Sequence, residues 1–195
     1  MSDYISSSSL VKSNRSSIDS KDINSHNIIS AYLEALTSKF HNNCIFIFLC
    51  IGSDRSTGDS LGPLTGFMLK EIHKISSPIF GTLDSPVHAK NLSMTLDYIN
   101  TTYKNSCIIA IDACLSSSDK LEFIFIEEGP LSPGAAFNKK LPSAGDISIT
   151  AAVNTTGFND FIILQNTRLN SVFTLAETIS KSINLFLNNF QNKAE

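Results

Sequence analysis

The feature that most constrains the fold is an unbroken apolar run at residues 44–51, followed by a polar loop and an amphipathic segment. A continuous β-prone run is typical of a strand that is buried on both faces, as in a parallel sheet. The loop covers residues 53–58, and apolar residues then recur at helical spacing over residues 61–75. The core is therefore predicted to begin with a strand–loop–helix unit.

The same alternation recurs along the chain. Apolar residues at helical spacing predict further helices over residues 29–40, 89–103 and 172–190. Short β-prone runs predict further strands over residues 79–83, 107–111, 121–126 and 147–153. Residues 161–164 fit a strand and a helix equally well. Alternating strands and helices predict an α/β fold, a three-layer αβα sandwich around a mostly parallel central sheet.

Composition predicts one domain preceded by a tail. The first 25 residues contain ten serines and almost no apolar periodicity, so ordering them would bury little apolar surface. We therefore expect a Ser-rich tail over residues 1–25 and a single domain over residues 26–195. A chain of 195 residues with 42% hydrophobic content is long enough to bury one sizeable core.

Charge and cysteine usage argue against several classes of partner. The net charge is −3, and the basic residues are scattered, which argues against nucleic-acid binding. The longest apolar run is too short to span a bilayer, so we expect a cytoplasmic protein without a membrane partner. The four cysteines form no C-x-x-C pair, and three lie in or beside apolar runs. They are predicted to be reduced core residues, with no bound metal and no cofactor.

Two aspartates are the main catalytic candidates. Parallel sheets bind ligands outside the carboxyl ends of their strands. Asp59 ends the loop that leaves the first apolar strand, and Asp112 directly follows the run 107–111. A carboxylate at the end of a buried strand is costly unless it is paired, hydrogen-bonded or facing a cleft. Two neighbouring carboxylates repel, so one can stay protonated as an acid while the other acts as a base on water.

The loop that contains Asp59 and Ser60 also fits two roles other than aspartate catalysis. Asp59 precedes a predicted helix and fits an N-cap, with Pro63 in the first helical turn. Ser60 lies in a formal G-x-S-x-G motif, which suggests a serine hydrolase. A triad of that kind needs a histidine to activate the serine, and no histidine follows His88 in the sequence.

Five further residues are candidates for substrate binding. Asp54 and Arg55 could line the first loop or pair with each other in solvent. His88 falls at the start of a predicted helix and could face the cleft, or it could have no catalytic role. Asp146 and Asn154 flank the last predicted strand and could orient water or substrate, although turn and capping roles are the alternative.

Four sequence blocks carry a resemblance to a known family. They are CIGSDRSTGDSLGPL at residues 50–64, PVHAKNL at 86–92, IDAC at 111–114 and LPSAGDISI at 141–149. Together they resemble the YyaC family of sporulation proteins, which is similar to the germination proteases and more distantly to the hydrogenase maturation proteases. The resemblance implies a phosphorylase/hydrolase-like αβα sandwich and a peptidase ancestry.

The resemblance also implies site residues. Asp59 and Asp112 match the two functional aspartates of the germination proteases. The block PGAAFNKK at residues 133–140 resembles a loop of those enzymes that would bring Lys139 or Lys140 towards the cleft. In the hydrogenase maturation proteases the matching positions help to recognise nickel together with a later histidine. The present chain lacks a histidine in that part of the sequence, which argues against that activity.

The expected function follows from both lines of argument. We expect a peptidase that cleaves a protein or peptide substrate, with water activated between the two aspartates. The family resemblance places this activity in the sporulating cell or the spore interior, and homo-oligomers are expected because the germination proteases assemble. A non-catalytic, peptidase-derived binding or scaffold protein of sporulation is the alternative.

Overall fold

The computed structural model describes residues 15–40, 44–133 and 141–192. The strands are β1 (Arg15–Asp19), β2 (Ile45–Cys50), β3 (Ile79–Phe80), β4 (Ser106–Ser116), β5 (Phe123–Glu128) and β6 (Ile147–Thr155). The α-helices are α1 (Ser25–Thr37), α2 (Leu61–Phe67), α3 (Leu92–Thr102), α4 (Asp160–Gln165) and α5 (Leu169–Asn192). Short 3-10 turns occur at Gly58–Ser60 and Ser118–Lys120, and a π-helical turn at Met68–Ile72 extends α2.

The strands form one sheet in the order β1-β5-β6-β4-β2-β3. The pairs β3–β2, β2–β4 and β4–β6 are parallel, whereas β5 and β1 continue the sheet in antiparallel pairings. The predicted α/β fold around a central sheet is confirmed. Its parallel part contains the two strands, β2 and β4, that lead to the candidate aspartates.

Helices cover both faces of the sheet. The apolar residues of β2 alternate in direction, with Phe46 and Phe48 in one core and Ile47 and Leu49 in the other. The first core contains side chains from α1, α2 and α5, and the Phe46 ring lies 5.1 Å from the ring of Phe186 in α5. The second core contains side chains from α3. This two-sided burial explains why the β2 sequence is an uninterrupted apolar run.

The expected tail overlaps a strand. Residues 15–19 form β1, which pairs with β5 and places Ile18 opposite Ile124. Ile18 is only 5% exposed and packs into the core shared with α1 and α5. The boundary of the tail at residue 25 is therefore wrong, because backbone pairing and one buried side chain order a mostly polar segment. Residues 1–14 lie outside the described part of the chain.

Three further features bear on the sequence predictions. Residues 161–164, left undecided by the sequence, belong to the helix α4. None of the four cysteines forms a disulfide, and three of them are buried. Among the helices of the described residues, none combines the length and the apolar character needed to cross a membrane.

Candidate active site

The site forms where β2 ends and β4 continues. Cys50, the last residue of β2, pairs with Ile111, and β4 extends beyond this point to Ser116 alongside β6. Asp112 is therefore the first β4 residue past the end of β2, opposite Thr150 of β6. The expectation that the strand stops at residue 111 is wrong, because β6 continues to pair with β4. Asp112 nevertheless lies at the sheet edge where the loop after β2 begins.

The loop after β2 folds back so that Asp59 approaches the same edge. The Gly52 amide donates to the Val87 carbonyl at 2.8 Å, and the Ser53 amide donates to the Asp59 carbonyl at 3.0 Å. Gly52 has a φ of 142°, and a Cβ at this position would lie 2.1 Å from the Asp59 carbonyl oxygen. Only glycine therefore fits the turn that starts the loop. The 3-10 turn that contains Asp59 packs against β4.

Burial dominates the electrostatics of Asp59. Loss of hydration raises the pKa of its carboxyl from 3.8 to about 6. A hydrogen bond from the Ser53 backbone and the positive charge of His88 act in the opposite direction and limit this rise in pKa. The Asp59 carboxyl thus ionises within the range in which a general base is useful near neutral pH.

Asp112 is held in its neutral form more strongly than Asp59. The residue is only 9% exposed, and burial is the largest cause of a pKa well above the usual range. The negative charge of Asp59 raises the pKa of Asp112 further, while a 2.8 Å hydrogen bond from the Ala113 amide partly opposes the rise. Within the described residues, neither aspartate forms an ion pair with Lys or Arg. The arrangement therefore provides one acid and one base side by side.

The segment that carries His88 is tied to the end of β2. Val87, the neighbour of His88, forms a parallel bridge with Ile51, at the end of β2. The Asn91 side chain fixes the turn, since its Oδ1 accepts from the His88 amide at 2.8 Å and its Nδ2 donates to the Pro86 carbonyl at 3.0 Å. The charge of His88 also lowers the pKa of Asp59. The backbone of this segment thus lies at the sheet edge where the Asp59 loop begins, and a role of His88 in substrate binding stays a prediction.

Asn154 supports the Asp59 loop from the far side. Its Nδ2 donates to the Thr167 hydroxyl at 3.2 Å and to the Ile163 carbonyl at 3.4 Å. A Cβ on Gly58 would lie 2.9 Å from the Thr167 hydroxyl, so the Gly58 backbone sits directly against this residue. The Asn154 amide is therefore engaged in positioning the loop that carries Asp59.

Comparison with known proteins assigns the family. Residues 17–182 match the family described as "Protein of unknown function (DUF1256)". The chain belongs to the DUF1256 family. It is 44% identical over 139 residues to "Uncharacterized protein YyaC" of Bacillus subtilis, across 71% of this chain and 68% of that protein. The resemblance to the YyaC family is thereby confirmed.

A solved structure supports the fold assignment. The NiFe hydrogenase maturation protease HycI from Thermococcus kodakarensis has a similar fold, with a TM-score of 0.53 and 17% sequence identity. The match covers 80% of this chain and 99% of HycI. The DUF1256 chain therefore has the protease-like αβα fold that the sequence predicted.

Asp146 is at the wrong end of the sheet for the role predicted from the sequence. It precedes β6, which runs parallel to β4, so it lies at the amino end of these strands. Its Oδ2 accepts from the Ile108 amide at 2.8 Å, and its own amide donates to the Ile108 carbonyl at 2.7 Å. Asp146 therefore joins the starts of β4 and β6 and does not orient substrate at the opposite edge.

The remaining predicted substrate-binding residues have different positions. Asp54 and Arg55 are exposed in the loop after β2, where the Arg55 amide donates to the Ser53 hydroxyl at 3.2 Å. Their contact with substrate stays a prediction. Lys139, with its neighbour Lys140, lies outside the described residues.

Ser60 does not have the surroundings of a nucleophile. It is 6% exposed, and its hydroxyl donates to the Thr57 carbonyl at 2.6 Å. It also occupies the N-cap position of α2, where no side-chain capping bond forms. The capping alternative for Asp59 is therefore not supported either, since Asp59 precedes the residue at that position.

Asn91 and Thr167 are supporting residues that the sequence analysis missed. The signal for Asn91 is its place three residues after His88 and directly before α3, where a short polar side chain can reach back to the preceding turn. The sequence contains no comparable indication for Thr167, because its contact with the Gly58 turn depends on how α4 packs against the sheet. In the described part of the chain, no group of three or more His, Cys, Asp or Glu side chains is arranged to hold a metal ion.

Proposed function

We propose that this chain is a peptidase that hydrolyses a protein substrate made during sporulation, with water activated between Asp59 and Asp112. The observation that carries the proposal is the pair itself. Two carboxyl groups with raised pKa values lie at the sheet edge where β2 ends beside the parallel strand β4, and the charge of one raises the pKa of the other. Pairs of titrating groups whose environments separate their pKa values are typical of acid–base catalysis.

The separation of the pKa values assigns the two roles. Near neutral pH the Asp59 carboxylate accepts a proton from water while the water oxygen attacks the peptide carbonyl carbon. The Asp112 carboxyl donates its proton to the leaving nitrogen as the C–N bond breaks. Transfer of the proton from Asp59 to Asp112 then restores the starting pair, and the net reaction is hydrolysis.

The substrate class and the compartment rest on sequence resemblance. The block around Asp59 and the block around Asp112 resemble the aspartate motifs of the germination proteases, which act on spore proteins. A protein substrate inside the sporulating cell or the spore agrees with that resemblance and with the protease-like fold. Assembly into homo-oligomers stays a prediction.

The proposal is tested by digesting spore proteins in water enriched in oxygen-18. Hydrolysis by the purified chain should create new carboxyl termini that carry the label, detected by mass spectrometry, and the double variant Asp59→Asn, Asp112→Asn should create none. Labelled termini that persist in the double variant would contradict the aspartate mechanism. Capture of a spore protein without any cleavage would instead support the non-catalytic binding alternative.

A further inference from the structure

The short strand β3 forms one edge of the sheet, beside β2. It is the last strand in the order β1-β5-β6-β4-β2-β3, so β2 is its only strand neighbour within the described part of the chain. The Phe48 amide donates to the Pro78 carbonyl at 3.0 Å, and Phe48 is in register with Ile79. In a parallel pair a residue bonds to the residues on either side of its register partner. The amide and the carbonyl of Ile79 therefore point away from β2, towards the free edge.

A groove opens along this edge. It has a volume of about 240 Å³ and is lined by both residues of β3, by Lys70, and by Asn91 and Thr95 at the start of α3. Lys70 belongs to the π-helical turn that extends α2 on one face of the sheet, whereas α3 covers the other face. The groove, which we call the β3 groove, therefore lies across the free edge of the sheet.

The β3 groove is open to solvent, and the end of β3 is closely packed. On the rim, the Lys70 ammonium lies 3.8 Å from the Asp84 carboxylate, and the two side chains are 51% and 72% exposed. An exposed pair of this kind contributes little to stability, so an entering chain can separate it. Gly81 leaves no room for a Cβ against the Cys50 carbonyl, which fixes the end of β3 against β2. The edge is therefore both preformed and accessible.

An extended polypeptide is the ligand that fits this edge. Its backbone can offer a carbonyl to the Ile79 amide and an amide to the Ile79 carbonyl, which continues the sheet by one strand. Its apolar side chains can contact Phe80, which lines the groove. The Phe80 ring lies 6.0 Å from the ring of Tyr98 in α3, and Tyr98 is itself exposed. The β3 groove thus provides both backbone hydrogen bonds and an apolar surface.

The β3 groove extends towards the aspartate pair. Val87 lines the groove, and its carbonyl accepts from the amide of Gly52, which starts the loop that carries Asp59. Because β3 runs parallel to β2, a chain extended along β3 points towards the edge where β2 ends. One end of such a chain therefore comes to the side of the sheet that holds the two aspartates.

We propose that the β3 groove binds the segment of the protein substrate next to the scissile peptide bond, and that this segment pairs with Ile79 as an added strand. The proposal rests on the peptidase function proposed above and adds how the substrate is held. A chain can pair with β3 only where it is extended. Cleavage should therefore occur in segments of the substrate that are not helical.

Filling the groove tests the proposal by kinetics on the substrate that the oxygen-18 digest identifies. Thr95→Trp places a large side chain in the groove and should raise KM about tenfold or more with kcat within about threefold, because the groove contacts no reacting atom. Thr101→Trp is the matched control and should leave KM unchanged. Both hydroxyls donate to the carbonyl four residues earlier in α3, and Thr101 does not line the groove. Thermal unfolding checks both folds, and an unchanged KM in a folded Thr95→Trp variant would overturn the proposal.

Hydrogen exchange gives a second test that needs no cleavage. The probe is an acetylated and amidated hexapeptide of alternating threonine and valine, added at millimolar concentration to the ¹⁵N-labelled protein. It should slow exchange of the Ile79 amide about tenfold, the effect of a ligand at about ten times its Kd. The Phe80 amide faces β2 and should exchange at the same rate with and without the peptide. An Ile79 amide that does not respond would overturn the proposal. If the wild type cleaves nothing but the Ile79 amide becomes protected, the peptidase function fails while the groove stands as a peptide-binding site.

Discussion

The two ends of the parallel strands each carry an aspartate, and they use it differently. At the amino end, Asp146 is exposed, and its carboxylate and backbone both bond to Ile108. At the carboxyl end, Asp112 is buried beside a second acid, Asp59, which raises its pKa. An acid that bonds to the backbone at an exposed edge stabilises the sheet. A buried acid next to another acid destabilises it, and such an arrangement points to chemistry.

Two glycines, Gly52 and Gly129, differ in a similar way. Gly52 at the carboxyl end and Gly129 near the amino end both have positive φ, at 142° and 110°. A Cβ on Gly52 would meet the Asp59 carbonyl at 2.1 Å, whereas nothing lies within 4 Å of a Cβ on Gly129. The backbone is therefore more closely packed at Gly52, where it positions Asp59, than at Gly129.

Substitution of the acids should give the largest difference between the two ends. Asp59→Asn and Asp112→Asn each remove an ionisable group at similar size and should lower kcat about 100-fold to 10,000-fold. Asp146→Asn keeps an oxygen that can accept from Ile108 and should leave kcat unchanged. Steady-state cleavage of the substrate identified by mass spectrometry measures all three. An equal loss of kcat in Asp146→Asn would contradict the claim that only the aspartates at the carboxyl end take part in catalysis.

The glycine pair should show the next largest effect. Gly52→Ala should lower the free energy of unfolding by about 3 kcal/mol or more, because the added methyl group must displace the Asp59 backbone in addition to straining φ. Gly129→Ala adds only the strain in φ and should cost about 1 kcal/mol. Urea unfolding of the two variants provides the comparison. A larger loss for Gly129→Ala would show that close packing does not distinguish the two positions.

The raised pKa of Asp59 should lower the free energy of unfolding at neutral pH. The folded protein keeps a proton on Asp59 up to a pKa of about 6, whereas the unfolded chain releases it near 3.8. The free energy of unfolding should therefore fall as the pH rises between these values. Asp59→Asn should be more stable than the wild type by about 3 kcal/mol at pH 7 and equal to it at pH 3. Thermal unfolding at the two pH values measures the gain.

Ser60 should show the smallest effect. Its hydroxyl bonds to the Thr57 carbonyl, so Ser60→Ala should cost about 1 kcal/mol in stability and should change kcat by less than about threefold. The same cleavage and unfolding assays apply. Loss of all cleavage in a folded Ser60→Ala variant would favour a serine nucleophile over the aspartate pair.

The sequence predicted the parts of the fold that have strong apolar patterns. The uninterrupted run of β2 and the stripes of α1, α3 and α5 were located within a few residues, since burial on fixed faces sets their periodicity. The strand β1 was not predicted because Ile18 is the one buried apolar residue among the described residues 15–25, and the pairing with β5 is a long-range contact. Local composition carries no information about such a partner.

The direction of the parallel strands decides at which edge of the sheet each candidate residue lies. Asp59 follows β2, and Asp112 lies in β4 just past the end of β2, so both come to the edge where β2 ends. Asp146 precedes its strand, so the same rule places it at the opposite edge, and its assignment as a substrate residue was wrong. Asn154 was placed at the correct edge, but its role in holding Thr167 depends on the packing of α4, which its own sequence position does not reveal.

The central claim is that Asp59 and Asp112 form a coupled acid–base pair, and ¹³C NMR titration of their carboxyl carbons tests it most directly. Asp59 should titrate near pH 6 and Asp112 at higher pH. In Asp59→Asn the pKa of Asp112 should fall, because the neighbouring negative charge is gone. Both carboxyls titrating near pH 3.8, or an Asp112 pKa that does not change in Asp59→Asn, would contradict the account.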